Sequence, residues 1–98
     1  MFTTTYNKGF HITFKNGVTV SVQWGYWNYC ENYNKAEVEN ANMLDSIDSK
    51  DAEIAVWDKN STWILKKYAP YNDDDVMGYV TPEQVLDIMN WASKYEGE

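Results

Sequence analysis

Two segments near the N-terminus alternate apolar and polar residues on either side of a turn signal at residues 15–17. Residues 10–14 and 18–24 both show the two-residue period that is typical of half-buried strands. A two-residue Asn-Gly turn would put the apolar residues of the two strands on opposite faces, whereas a three-residue loop puts them on one face. We therefore predict a β-hairpin with the longer loop and with Gly17 in the left-handed conformation. The residues expected to share the buried face are Phe10, Ile12, Phe14, Val18, Val20 and Val22.

The strongest helix signal lies near the other end of the chain. Thr81 is a suitable N-cap, Pro82 fits the first helical position, and Gln84 completes a capping box with Thr81. We therefore predict a helix that begins at Pro82 and packs on the sheet through one apolar stripe. The stripe consists of Val85, Ile88, Met89, Ala92 and Tyr95.

A second hairpin and one further strand are predicted in the second half of the chain. Residues 53–57 and 62–66 are apolar-rich and are joined by a polar, turn-forming tetrapeptide, which would place Val56 opposite Trp63. A shorter strand is predicted for residues 76–80.

These elements together predict the fold class. Residues 36–45 indicate a short helix within an otherwise irregular stretch. The expected fold is α+β, an antiparallel sheet of about five strands (two hairpins plus one strand) with a C-terminal helix packed on one face. A chain of 98 residues is expected to form a single domain, residues 1–98.

Composition excludes several classes of function. The chain carries 15 acidic residues and eight basic ones, all lysine, for a net charge of −7. An acidic chain without arginine does not fit direct nucleic-acid binding. One cysteine excludes an internal disulfide framework and a multi-cysteine zinc site. No apolar run approaches the roughly 20 residues that span a bilayer, and the N-terminus lacks signal-peptide features, so we expect a soluble cytoplasmic protein.

A cluster of aromatic residues directly after the predicted hairpin is the main candidate for a binding site. Its rings could stack on a base or a sugar, and the amides of Gln23, Asn28 and Asn32 could bond to the edge of a heterocycle. Packing of the same rings against the sheet or an interface is the structural alternative. The candidate ligand-binding residues are Trp24, Tyr26, Trp27, Asn28, Tyr29 and Tyr33.

Other residues that could take part in catalysis or binding give weaker signals. His11 and Cys30 are the single members of their types, but His11 falls on the polar face of its strand and nothing places Cys30 beside it. The loop acids Asp73, Asp74 and Asp75 lack the spacing of a calcium loop, and they are an alternative site for docking on a basic partner. No phosphate loop, metal motif or nucleophile elbow is present, so we expect neither a cofactor nor an enzyme.

Several stretches together resemble a family of small uncharacterised proteins encoded in bacteriophage and prophage genomes. The stretches are residues 9–17, 19–25, 28–30, 51–57 and 75–85, with the pattern G-F-x-I-x-F-x-N-G-x-T-V-S-V-Q-W-G followed by N-Y-C. The resemblance carries no established activity and therefore assigns no functional residues. It implies a phage accessory protein in the bacterial cytoplasm, where small acidic proteins often look like inhibitors of host defence.

Three functional hypotheses follow. In the first, the aromatic cluster sequesters a nucleotide-type immune signal, with Lys8, Lys15 or Lys35 meeting its phosphate. In the second, the acidic second half docks on a basic surface of a host defence protein, as an anti-CRISPR protein or a DNA mimic would. The third is a small structural or assembly component of the virion. All three hypotheses are compatible with a homo-oligomer.

Overall fold

The computed structural model describes residues 1–5, 8–42 and 46–97, which form one antiparallel sheet with helices on one face. The five strands lie side by side in chain order, as an up-and-down meander. The predicted α+β class, with a five-stranded sheet and a C-terminal helix that contacts it, is confirmed. The elements are β1 (Phe2–Thr4), β2 (Gly9–Thr13), β3 (Thr19–Gln23), α1 (Ala36–Glu39), β4 (Ala52–Trp57), α2 (Leu65–Tyr68), β5 (Val76–Val80) and α3 (Pro82–Ser93).

The β2–β3 hairpin has the predicted register. Phe10 lies opposite Val22, and the loop closes with the amide of Phe14 donating to the carbonyl of Val18 over 2.9 Å. Gly17 has a φ of 84°, the left-handed conformation that the three-residue loop requires. All six predicted residues face the core, with the three valines buried and the other three partly buried against them.

The opposite face of β3 is also covered, which the alternation of residues did not predict. Thr19 and Ser21 are both buried. The rings of His11 on β2 and Trp57 on β4 meet edge to face across β3, with their centroids 5.2 Å apart. Because Ser21 pairs with His11 and Thr19 with Trp57, these rings lie over the two small side chains.

Helix α3 begins as predicted and closes the core. The Thr81 hydroxyl accepts from the amide of Gln84, and the Gln84 side chain accepts from the amide of Thr81. Ile88 and Ala92 are buried, and the remaining stripe residues are partly buried against the core. At its other end, the Asn16 side chain donates to the carbonyls of Ala92 and Tyr95 at 2.8 and 2.9 Å.

The second predicted hairpin is wrong after its turn, because residues 62–66 do not form a strand. Trp63 pairs with Trp57 rather than with Val56, and only as an isolated bridge, and the chain then enters α2 at Leu65. The reason is that Ile64 and Leu65 are both buried. Consecutive residues of a strand point to opposite faces, so a strand could not bury both in one core, whereas a helical turn can.

The remaining strand of the sheet is β1, for which no strand was predicted. It pairs with β2 at the edge of the sheet, with Thr3 opposite His11. Helix α1 is shorter than the predicted 36–45, since Asn40 is its C-cap, and residues 43–45 lie outside the described residues. Within the described ranges, no helix is long and apolar enough to cross a membrane.

Replacing Thr81 with Ala tests the cap of α3. The substitution should lower the free energy of unfolding by about 0.5–2 kcal/mol, because the amide of Gln84 loses its acceptor. Denaturant melts measure this loss. Thr81→Ser keeps the hydroxyl and serves as the control, and an unchanged midpoint in Thr81→Ala would contradict the role of the cap.

Candidate functional site

The segment between β3 and α1 is a compact chain of turns rather than an extended loop. The amide of Asn28 donates to the carbonyl of Gly25, and the Asn28 side chain accepts from the amide of Gly25 over 2.9 Å. Asn34 adopts a left-handed φ of 60° and donates its amide to the carbonyl of Tyr26. These local bonds give residues 24–35 a defined shape.

Three carboxylates fasten this segment to the chain that precedes and enters β4. Asp51 accepts from the amide of Glu31 over 2.6 Å, and Glu31 in turn accepts from the amide of Lys50 over 2.9 Å. Glu53 accepts from the Asn28 side chain at 3.0 Å and from the amide of Tyr29 at 3.3 Å. The segment therefore rests on negative charge, and the Lys50–Glu31 ion pair offsets only part of it.

Trp24 is separated from the other rings of the predicted site. Its indole N–H donates to the carbonyl of Ile47 over 2.8 Å, and its ring meets Phe10 edge to face. Trp24 also lines an open, mostly apolar cleft of about 430 Å³ between the inner sheet face and the start of α3. Asp48, Lys50 and Asp51 also line this cleft.

The other four rings form two pairs on the outside of the segment. We call these four residues the aromatic surface: Tyr26, Trp27, Tyr29 and Tyr33. Tyr26 and Trp27 pack at right angles with centroids 4.7 Å apart, and Tyr29 and Tyr33 lie 5.3 Å apart. Trp27 is 70% exposed, and Tyr29 and Tyr33 are also exposed. Of the predicted site, the structure thus pairs Tyr26 with Trp27 and Tyr29 with Tyr33.

The side-chain amides of Asn28 and Asn32, expected to bond to a ligand, instead make hydrogen bonds that hold the segment in place. Asn28 uses its oxygen on Gly25 and its nitrogen on Glu53. Asn32, which is buried, donates to the carbonyls of Trp24 and Asp48 at 2.8 and 3.0 Å. Since these groups already have partners, a ligand at the aromatic surface would meet rings rather than amides.

Tyr79 is an exposed neighbour of this surface that the sequence analysis missed. It lies in β5 within the break of the β4–β5 register, with a left-handed φ of 56°. Its amide donates to the carbonyl of Tyr29 over 2.9 Å. At the preceding position, a Cβ on Gly78 would lie 2.8 Å from that of Tyr29, so only glycine leaves room for the segment.

The remaining candidate residues lie elsewhere. Cys30 is buried with its thiol directed at the carbonyl of Gly25, and burial raises the pKa of that thiol above its ordinary value. His11 packs on Trp57, on the outer face of the sheet. Asp73, Asp74 and Asp75 form an exposed turn in which Asp74 accepts from the amide of Asp75.

The lysines proposed to meet phosphate do not form one group with the rings. Lys8 lays its methylene stem against Gly25, and Lys35 is the N-cap residue of α1. Lys15 lies in the β2–β3 turn. Among the described residues, no cluster of three or more His, Cys, Asp or Glu side chains is arranged to hold a metal ion.

Comparison of the chain with protein-family models, with curated proteins and with solved structures gave no match.

The two tryptophans of the segment should respond differently to truncation. Trp24→Ala should lower the free energy of unfolding by about 3 kcal/mol, because it removes the contact with Phe10 and leaves the Ile47 carbonyl without its donor. Trp27→Ala should stay within about 0.5 kcal/mol of the wild type, as for other exposed positions. Urea melts of the two variants measure the difference, and equal losses would contradict the division between core and surface.

Proposed function

We propose that this chain is a non-enzymatic binding protein that docks on a basic surface of a partner protein through its aromatic surface. The observation that supports this most is the exposure of Trp27, Tyr29 and Tyr33 on a segment whose Asn28 and Asn32 side chains already hold hydrogen bonds. Exposed large aromatic groups on a rigid support are typical of the residues that dominate the energy of protein–protein interfaces.

The charge around the surface indicates the chemistry of the partner. Glu53 and Asp51 accept hydrogen bonds from the segment that carries the rings, Glu31 belongs to that segment, and the whole chain has a net charge of −7. A basic partner is attracted to such a surface, and complementary charge speeds the encounter and excludes acidic competitors. The second of the three hypotheses is therefore favoured, with the contact centred on the aromatic surface rather than on Asp73–Asp75.

A nucleotide ligand fits this geometry less well. Phosphate requires cations, and Lys50, the cation that lines the Trp24 cleft, is paired with Glu31. The amides that would read a base at the aromatic surface are occupied by Gly25 and Glu53. A nucleotide would therefore gain stacking alone, against the repulsion of its phosphate by the nearby carboxylates.

The resemblance to phage and prophage proteins supplies the biological setting of the proposal. A small acidic protein made in an infected cell would act in the bacterial cytoplasm, on a host effector whose nucleic-acid-binding groove presents lysine and arginine. Covering that groove would block the effector without any turnover. The expected role is thus inhibition of a host defence system by stoichiometric binding.

Affinity capture from a bacterial lysate tests the proposal. The immobilised baits are the wild type, the double variant Trp27→Ala/Tyr33→Ala, and a control variant, Tyr71→Ala. Tyr71 is 80% exposed and lies outside the aromatic surface, so its loss should leave binding unchanged. All baits are first checked for equal thermal melting, and the bound fractions are analysed for proteins and for nucleotides.

We expect the wild type and Tyr71→Ala to capture the same protein, one with a basic surface. The amount captured by the double variant should be at least about tenfold lower, which corresponds to the loss of one hot-spot contact or more. Retention of the captured protein should fall as salt is raised. Equal capture by all three baits would contradict the role of the aromatic surface. A bound fraction that contains nucleotide but no such protein would favour the sequestering hypothesis instead.

A further inference from the structure

The outer edge of β1 presents backbone groups that the rest of the described chain leaves open. Met1 and Thr13 exchange both of their backbone hydrogen bonds, each at 2.8 Å. Bonded pairs alternate along an antiparallel ladder, so Thr3 is the next β1 residue bonded to β2. The N–H and C=O groups of Phe2 and Thr4 therefore point away from the sheet, and all three residues of β1 are exposed.

Nothing on the side chains of β1 protects this edge. Natural edge strands usually carry charged residues, proline or bulges that prevent pairing with another chain. The strand reads Phe-Thr-Thr, pairs in regular register with β2, and leaves Phe2 77% exposed. Covering an exposed phenylalanine on an open strand without charged side chains removes apolar area from water and is therefore favourable.

We propose that β1 pairs with β1 of a second copy of this chain, to give a two-fold symmetric dimer with a continuous sheet. Antiparallel pairing centred on Thr3 sets Phe2 of one protomer opposite Thr4 of the other. Each of these two symmetric pairs then exchanges both of its backbone hydrogen bonds. An edge that matches itself in this way meets the requirement of an isologous interface.

The distribution of charge allows this contact and disfavours others. Two copies with a net charge of −7 repel each other, but residues 1–30 contain no Asp or Glu. The strands β1, β2 and β3 all lie within that range, whereas β5 follows directly on Asp73, Asp74 and Asp75. The β1 edge is thus the edge of the sheet at which two copies approach with the least repulsion.

The dimer has a consequence for binding that depends on the proposed function. Tyr29 packs over Gly78 of β5, and β5 is the edge of the sheet opposite to β1. Pairing through β1 would therefore carry the two aromatic surfaces toward the two ends of the joined sheet. Such an arrangement engages two sites of a repetitive or dimeric partner and raises the apparent affinity without new contacts.

Paired charge variants at Thr3 test the interface without any partner protein. Across the two-fold axis the two Thr3 side chains lie directly opposite each other on one face. Thr3→Lys and Thr3→Glu should each weaken dimerisation by up to about fivefold through like-charge repulsion. An equimolar mixture of the two variants should dimerise at least as tightly as the wild type, because opposite charges then face each other.

Sedimentation velocity at low salt, up to about 1 mM protein, measures the dissociation constants. Thr62→Lys and Thr62→Glu change an exposed threonine in the β4–α2 turn and should leave dimerisation unchanged. A wild type that stays monomeric over this range overturns the proposal. Wild-type behaviour of the single Thr3 variants, or a mixture that does not recover, overturns it as well. Since no partner is present, these outcomes are independent of the proposed function.

Discussion

The turn between β2 and β3 is the point on which the rest of this fold depends, because it sets both the register of the sheet and the position of the helix. Gly17 supplies the left-handed residue that a three-residue loop needs, and this loop puts Phe10, Ile12 and Phe14 on the face of the β3 valines. The same turn holds α3. Asn16 accepts from the amide of Val18 and donates to two carbonyls at the end of that helix. A register shifted by one residue would turn the apolar face outward and leave α3 without a surface to cover.

The segment after β3 reverses the usual placement of polar and apolar groups. Its polar side chains, chiefly Asn28 and Asn32, point inward and are used on backbone carbonyls, an amide and Glu53. Its large rings, above all Trp27, point outward. The segment uses hydrogen bonds and carboxylates as its scaffold and leaves aromatic area exposed, which is the arrangement expected of the proposed interface.

Local signals account for the parts of the fold that the sequence predicted. The β2–β3 hairpin and α3 are specified by residues within a few positions of one another, such as Thr81 and Gln84. By contrast, β1 forms because β2 offers it an edge, and α2 forms because Ile64 and Leu65 must both reach the core. The candidate site was also predicted only in part. Its rings were identified from composition, but the inward position of Trp24 depends on the carbonyl of Ile47, which is distant in sequence and could not be inferred.

Amide hydrogen exchange on the chain, free and in complex with a captured protein partner, shows directly whether the aromatic surface is where this protein binds. Binding through this surface should slow exchange in residues 26–34 and around Tyr79, whose amide donates to the carbonyl of Tyr29. The turn at residues 73–75 should exchange as fast in the complex as in the free chain. Slowed exchange confined to that acidic turn, with residues 26–34 unchanged, would contradict the claim that the aromatic surface is where this protein binds.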